Sequence, residues 1–152
     1  MKKILLLSLI LILFSCENFD GKMKIKASYD LVVSNIKKAF SGVVTEKYSY
    51  RTNHPPNYLI INEVDTIYVS NQNLVRKVYL GDSIVKKQDD NIIRVYNKNK
   101  LVIETWYMLI PEYLRNDSSF PEEWKYKWLE ATFDPSNKNL DNDSKLQVKR
   151  SD

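Results

Sequence analysis

Few side chains in this chain could do covalent or metal chemistry, and their spacing narrows the field further. There is one cysteine, Cys16, and one histidine, His54. Ser83, in Gly81-Asp82-Ser83, is the serine to weigh as a nucleophile. Such a serine needs a base to take its proton, an acid to orient that base, and oxyanion donors nearby. His54 lies upstream of Ser83 beside Pro55 and Pro56, and no Asp-x-x-His follows the serine. The chain is therefore expected not to be an enzyme, with Ser83 opening a strand after a Gly-Asp turn. A zinc site is out of reach for one histidine and one cysteine. Asp141-Asn142-Asp143 starts like a calcium loop, but Lys145 takes the third ligand position and no glycine makes the bend. No cofactor or metal is expected.

The block from Val78 to Ile84 resembles the nucleophile block of GDS-type esterases, but too little chain follows Ser83 to build the α/β sheet of those enzymes. Aromatic residues remain as the candidates for binding. Ten tyrosines and three tryptophans can fill a core and still leave a stacking platform. Trp106, Tyr107, Tyr113, Trp124, Tyr126 and Trp128 gather late in the chain, so Trp106, Trp124 and Trp128 are the expected ligand contacts if a glycan is bound. Core filling is the competing role for the same residues. His54 reads as an ordinary surface residue of a loop.

Cys16 carries the clearer chemistry. Lys2 and Lys3 precede an apolar run, residues 4–14, interrupted only by Ser8, which is the anatomy of a secretory signal. The run is shorter than the ~20 apolar residues a membrane-spanning helix needs. Leu13-Phe14-Ser15-Cys16 resembles the bacterial lipobox, with Phe14 in place of the small residue usual at its second position. The resemblance implies cleavage before Cys16 and acylation at its sulfur and new amine. Two or three acyl chains hold a protein on a bilayer, whereas one chain holds it only marginally. With no second cysteine an intramolecular disulfide is impossible, so the exported domain depends on its core.

The expected organisation is a lipoprotein signal over residues 1–15, a lipidated tether over 16–26, one β-rich domain over 27–133 and a disordered polar tail over 134–152. The formal charge is +4, but Lys2 and Lys3 leave with the signal and the remainder is near balance, so no nucleic-acid partner is expected. Tyr29, Val32, Val33, Ile36 and Phe40 form a helical stripe, with Ser28 as its N-cap. Residues 43–50 alternate as a strand, and Pro55 and Pro56 break it. Residues 58–61 and 66–70 form a hairpin around a turn at 62–65. Residues 74–80 fit a helical turn as well as a strand. Strands are expected over 83–87, 92–96 and 101–109, joined by turns at 88–91 and 97–100. Pro111 ends the last of them, and a second helix is expected after Ser119, with Glu122 at capping-box spacing. The fold class is thus α+β and mostly β: a small antiparallel meander or partly closed barrel of five or six strands with a helix at each end. Ile103, Trp106, Met108 and Ile110 are core candidates.

Gly42-Val43-Val44 with Glu46-Lys47-Tyr48, then Asn53-His54, then Gly81-Asp82-Ser83-Ile84-Val85-Lys86-Lys87 resemble a group of small, uncharacterised Bacteroidota lipoproteins carrying G-V-V-x-E-K-Y, N-H and G-D-S-I-x-K-K in that order. Residues 88–91 depart from the Gly-Ser turn of that group. Glu17 and Asp20 also resemble the acidic residues that follow the cysteine in surface-exported lipoproteins of these bacteria. The resemblance implies an outer-membrane address, on the periplasmic or surface face, and no particular activity. Two functions follow as expectations: a non-catalytic envelope lipoprotein that binds or positions another envelope component, or a glycan- or peptidoglycan-binding lipoprotein using the late aromatic residues.

Overall fold

A computed structural model describes residues 28–134 and 150–151. The expected signal, Cys16, the tether and the calcium-like Asp141-Asn142-Asp143 all lie outside the described residues. The chain divides into one unit ending at Val33 and a second beginning at Ser34. Helix α1 occupies residues 28–37.

Six strands form one antiparallel sheet: β1 (Phe40–Tyr48), β2 (Tyr58–Ile61), β3 (Asp65–Tyr68), β4 (Ser83–Lys86), β5 (Ile92–Asn97) and β6 (Lys100–Trp106). Their spatial order is β3-β2-β1-β4-β5-β6. Two three-stranded meanders thus lie side by side, joined where β1 pairs with β4. Helix α2 (Gln72–Lys77) sits in the connection between them. Asn71 caps it by accepting from the Leu74 N–H at 3.1 Å, so residues 74–80, which fit either form, begin as helix. Phe40, placed by its spacing on the helical stripe, instead starts β1, opposite Lys86 of β4.

The tight turns use the backbone conformations such turns require. Asn97 pairs with Lys100 across a two-residue loop whose members, Lys98 and Asn99, both have positive φ. Asn62 and Glu63 likewise have positive φ, in the three-residue loop between β2 and β3. Asn62 then reaches over Gly42: its side chain accepts from the Val43 N–H at 3.0 Å, and a Cβ on Gly42 would stand 2.5 Å from it. Only glycine leaves room for that contact.

Alternation along the strands gives the sheet one core face, with Val44, Leu59, Ile61, Ile67, Ile84, Ile93, Val95 and Ile103 buried. Leu74 and Val75 of α2 are buried too, as are Met108, Ile110, Leu114 and Phe120 from the chain after β6. Two points of the expected architecture are corrected. The sheet is open rather than barrel-like, since β3 and β6 stand at opposite ends of the strand order. The β6 edge instead receives the end of the chain, where the Ser151 N–H donates to the Val102 carbonyl at 2.9 Å. Pro111 does not close a strand; it belongs to β7 (Ile110–Pro111), which pairs in parallel with β8 (Thr132–Phe133).

The C-terminal helix is also corrected. After α3 (Glu112–Arg115), residues Glu122–Trp124 and Leu129–Ala131 form only 3-10 turns. Trp128 between them has φ +53°, which ends any right-handed helix there. Arg115 supplies the second reason. Its guanidinium donates to the carbonyls of Trp124, Lys125, Lys127 and Trp128 at 2.7–3.1 Å. Those acceptors are the ones a continuing helix would need for its own N–H groups.

The last residues of the expected disordered tail are likewise held. Arg150 reaches Asp82 with two nitrogens, at 2.7 and 3.1 Å, and stacks over the Tyr79 ring at 4.2 Å. Asp82 is fully buried and also accepts from Asn97 and the Tyr79 N–H, each at 2.8 Å. Burial works against the charged carboxylate, but the bonds from Arg150, Asn97 and Tyr79 and the Arg150 charge outweigh it and hold Asp82 below its ordinary range. A carboxylate depressed in this way contributes stability above its unfolded value and loses it as pH falls through the folded one. Arg150→Ala is expected to move the acid-unfolding midpoint to higher pH and to cost about 1–3 kcal/mol at neutral pH. Acid titration followed by circular dichroism checks this, and an unchanged midpoint would show that Arg150 does not hold the carboxylate.

Candidate functional site

The register of β1, β2 and β3 builds an aromatic surface that no single stretch of sequence displays. Tyr48 pairs with Tyr58, and Tyr58 pairs with Tyr68, so one tyrosine from each strand falls in a row across the sheet. Tyr50 continues the row just past the end of β1, on the same side as Tyr48 by two-residue periodicity. The rings of Tyr50 and Tyr48 are 4.8 Å apart at 85°, and those of Tyr50 and Tyr58 are 4.7 Å apart at 85°. Tyr58 and Tyr68 follow at 5.4 Å. Edge-to-face contacts at these distances are favourable and fix ring orientation. Tyr50 still exposes 68% of its surface.

Beside this row lies a pocket of about 320 Å³, lined by Tyr50, Arg51, His54, Asn57, Tyr58 and Gln72, with Ser49 and Pro55 completing the wall. The prolines turn the chain back from β1 to β2, and the Asn57 N–H closes the loop on the Tyr48 carbonyl at 3.1 Å. Ser49 and Arg51 bond locally, the Ser49 hydroxyl donating to the Arg51 carbonyl at 3.1 Å, and among the described residues no hydrogen bond engages the Arg51 guanidinium. Among the described residues, no acidic residue lines the pocket. Among the described residues, no carboxylate is paired with Arg51.

A second hollow of about 300 Å³ is lined by Asn35, Lys38, Phe40, Ile67, Tyr68 and Tyr107 among others. Its floor is structural. The Tyr107 hydroxyl donates to the Tyr68 carbonyl at 2.6 Å, and burial pushes that phenol well above its usual range.

The residues singled out from the sequence are distributed differently. Trp106 and Trp124 are only 5% and 3% exposed, so both belong to the core and neither can offer a face to a sugar. Trp128 is half-buried, 5.9 Å from the Trp124 ring, with Lys127 lying over it at 5.9 Å. The three tryptophans therefore do not form a platform. His54, read as an ordinary loop residue, lines the tyrosine pocket. Ser83 begins β4 opposite Val43, whereas His54 lies at the Tyr48 end of β1, about 16 Å further along that strand at ~3.3 Å per residue. Among the described residues no cluster of three metal-ligating side chains occurs. No helix of the described residues is long and apolar enough to cross a membrane.

Tyr48, Tyr50, Tyr58, Tyr68 and Arg51 are the site residues that sequence reasoning missed. The local signal was the Tyr48 and Tyr50 alternation leading into a Pro-Pro loop. Chains compared at three levels, as family models, as characterised proteins and as solved structures, provide no match to this one.

Proposed function

We propose that this chain is a non-catalytic lipoprotein of the cell envelope, held on the outer membrane through lipid at Cys16, whose folded domain binds another envelope component. The observation that carries the reading is the tyrosine row with its adjoining pocket: a rigid, partly exposed aromatic surface beside uncommitted polar groups. Tyrosine suits such a surface because it offers apolar area and a polar tip while losing little side-chain entropy. The separation of Ser83 from His54 supports binding over catalysis. An envelope glycan is the second reading, and the exposure of Tyr50 favours it over the buried tryptophans.

The test is photo-crosslinking of the full chain in its own cells. Wild-type protein is expected to fractionate with membranes and to capture a recurrent envelope component. Cys16→Ala should lose the membrane fraction. Tyr50→Ala should keep the anchor and lose at least about tenfold of the capture, the scale of one aromatic contact residue. Capture that survives Tyr50→Ala unchanged would remove the tyrosine row from this role.

A further inference from the structure

Resting on that reading, we infer that the pocket beside Tyr50 binds an acidic saccharide, a sugar that carries a carboxylate. Three features of the pocket point the same way. A sugar ring has a C–H face and a rim of hydroxyls, and the pocket has a matching division. Tyr50 and Tyr58 supply aromatic surface, while Asn57 and Gln72 supply planar amides that both donate and accept. Neither amide side chain is engaged elsewhere among the described residues, so their bonding capacity is available to a ligand.

Charge selects within that class. Arg51 is the cationic lining residue, and among the described residues there is no carboxylate in the wall to oppose an anion. A guanidinium presents paired N–H groups in the geometry of a carboxylate, which makes Arg51 the recognition element for an acidic sugar and a poor one for a neutral sugar. Its backbone is fixed where this requires, since the Arg51 N–H bonds the Ser49 hydroxyl at 3.3 Å and the Arg51 carbonyl accepts from the His54 N–H at 3.3 Å.

The topology argues against an acidic peptide in the same place. Extended peptides are usually captured by adding a strand to a free sheet edge. The pocket adjoins the ends of β1 and β2, which are both interior strands, each bonded on two sides. No strand edge is on offer there. The volume of about 320 Å³ is at the small end for ligand pockets, suited to a sugar ring or two and not to a folded surface.

Trigalacturonate and its fully methyl-esterified form are the probes, since esterification removes the charge and keeps the rings. Binding to the full chain is read by calorimetry and by amide chemical shifts at Tyr50, Arg51, Asn57 and Gln72. Trigalacturonate is expected to bind, with the ester at least about tenfold weaker. Arg51→Ala should cost the acid the same factor and leave the ester unaffected, and Tyr50→Ala should weaken both. Tyr50 and Arg51 are exposed, so thermal melting should match wild type in both variants. Equal affinity for acid and ester, or binding indifferent to Arg51→Ala, would overturn the assignment. If no saccharide binds while Tyr50→Ala still abolishes envelope capture, the saccharide falls and the tyrosine platform stands. If Tyr50→Ala leaves both capture and saccharide binding intact, both fall.

Discussion

Replacing Arg115 by Met is expected to be among the most destabilising single changes in the domain, lowering stability by about 2–4 kcal/mol and the melting temperature by roughly 10–20 °C. The side chain is buried and its guanidinium is the shared donor for four carbonyls, at Trp124, Lys125, Lys127 and Trp128. Those carbonyls come from a segment with little regular structure of its own, two 3-10 turns around a left-handed Trp128. Without the donor, acceptors that have left bulk water lose their partner, and each such loss costs more than a satisfied bond contributes. Methionine keeps the apolar stem, so the variant isolates the loss of the donor from the loss of packing. The segment carrying Trp124 and Trp128 should loosen first, and near-ultraviolet circular dichroism, which reports the tryptophan surroundings, should weaken at temperatures where the far-ultraviolet signal persists. Arg115→Lys should recover only part of the loss, because an ammonium cannot span four acceptors as a planar fork does. A Met variant that melts within a degree or two of wild type would mean that the four bonds are incidental.

That same guanidinium shows where the sequence stops being legible. The strands and turns of the second meander can be read locally, because Ile92, Ile93, Val95 and Tyr96 are β-branched or aromatic and residues 97–100 are turn formers. Ile103, Trp106, Met108 and Ile110 are buried as their pattern predicts. Ser119, Pro121 and Glu122 carry a helix-start signal in their own right, while the group that diverts the carbonyls comes from Arg115, upstream of them. Instead of capping a helix, Ser119 turns back on Asp117. Phe40 follows the same rule: its spacing continues the α1 stripe, but pairing with Lys86 of β4 claims it for the sheet. The tyrosine row lay further still from view. It exists only in the register that sets Tyr48 against Tyr58 and Tyr58 against Tyr68, and a slip of one residue would send each tyrosine to the opposite face. The late tryptophans are close in sequence, whereas the tyrosines are close across strands.

Lys86→Met is expected to lower stability at neutral pH by about 1–3 kcal/mol, with a difference from wild type that widens as pH rises from 8. Lys86 points to the core face of β4 and is only 1% exposed. Its ammonium donates to the carbonyls of Ile36 at 2.7 Å, Lys38 at 2.5 Å and Lys87 at 3.1 Å. Ile36 lies in the last turn of α1 and Lys38 just follows it, where a helix leaves carbonyls without intrahelical donors and where its dipole favours a cation. Lys86 thus ties the chain at Ile36 and Lys38 to β4 by satisfying carbonyls left open there. The arrangement carries a cost. Burial pushes the ammonium down from 10.5 to about 8, with Asp90 and Asp89 acting weakly in the opposite direction. Because the folded value is the lower one, the folded protein gives up its proton before the unfolded chain does. Stability conferred at this position therefore rises with pH between about 8 and 10.5, where the unfolded chain holds more protons. Below that window both states are protonated and the penalty of burying the charge is fully present. The Met variant has no such titration, so wild type should gain on it through this window when both are unfolded with urea at fixed pH. A difference that stays constant or narrows would mean that the Lys86 ammonium is as well hydrated in the folded protein as in the unfolded chain. Hydrogen exchange at the C-terminal end of α1 should accelerate in the variant at every pH, since its acceptors no longer have a donor fixed on the sheet.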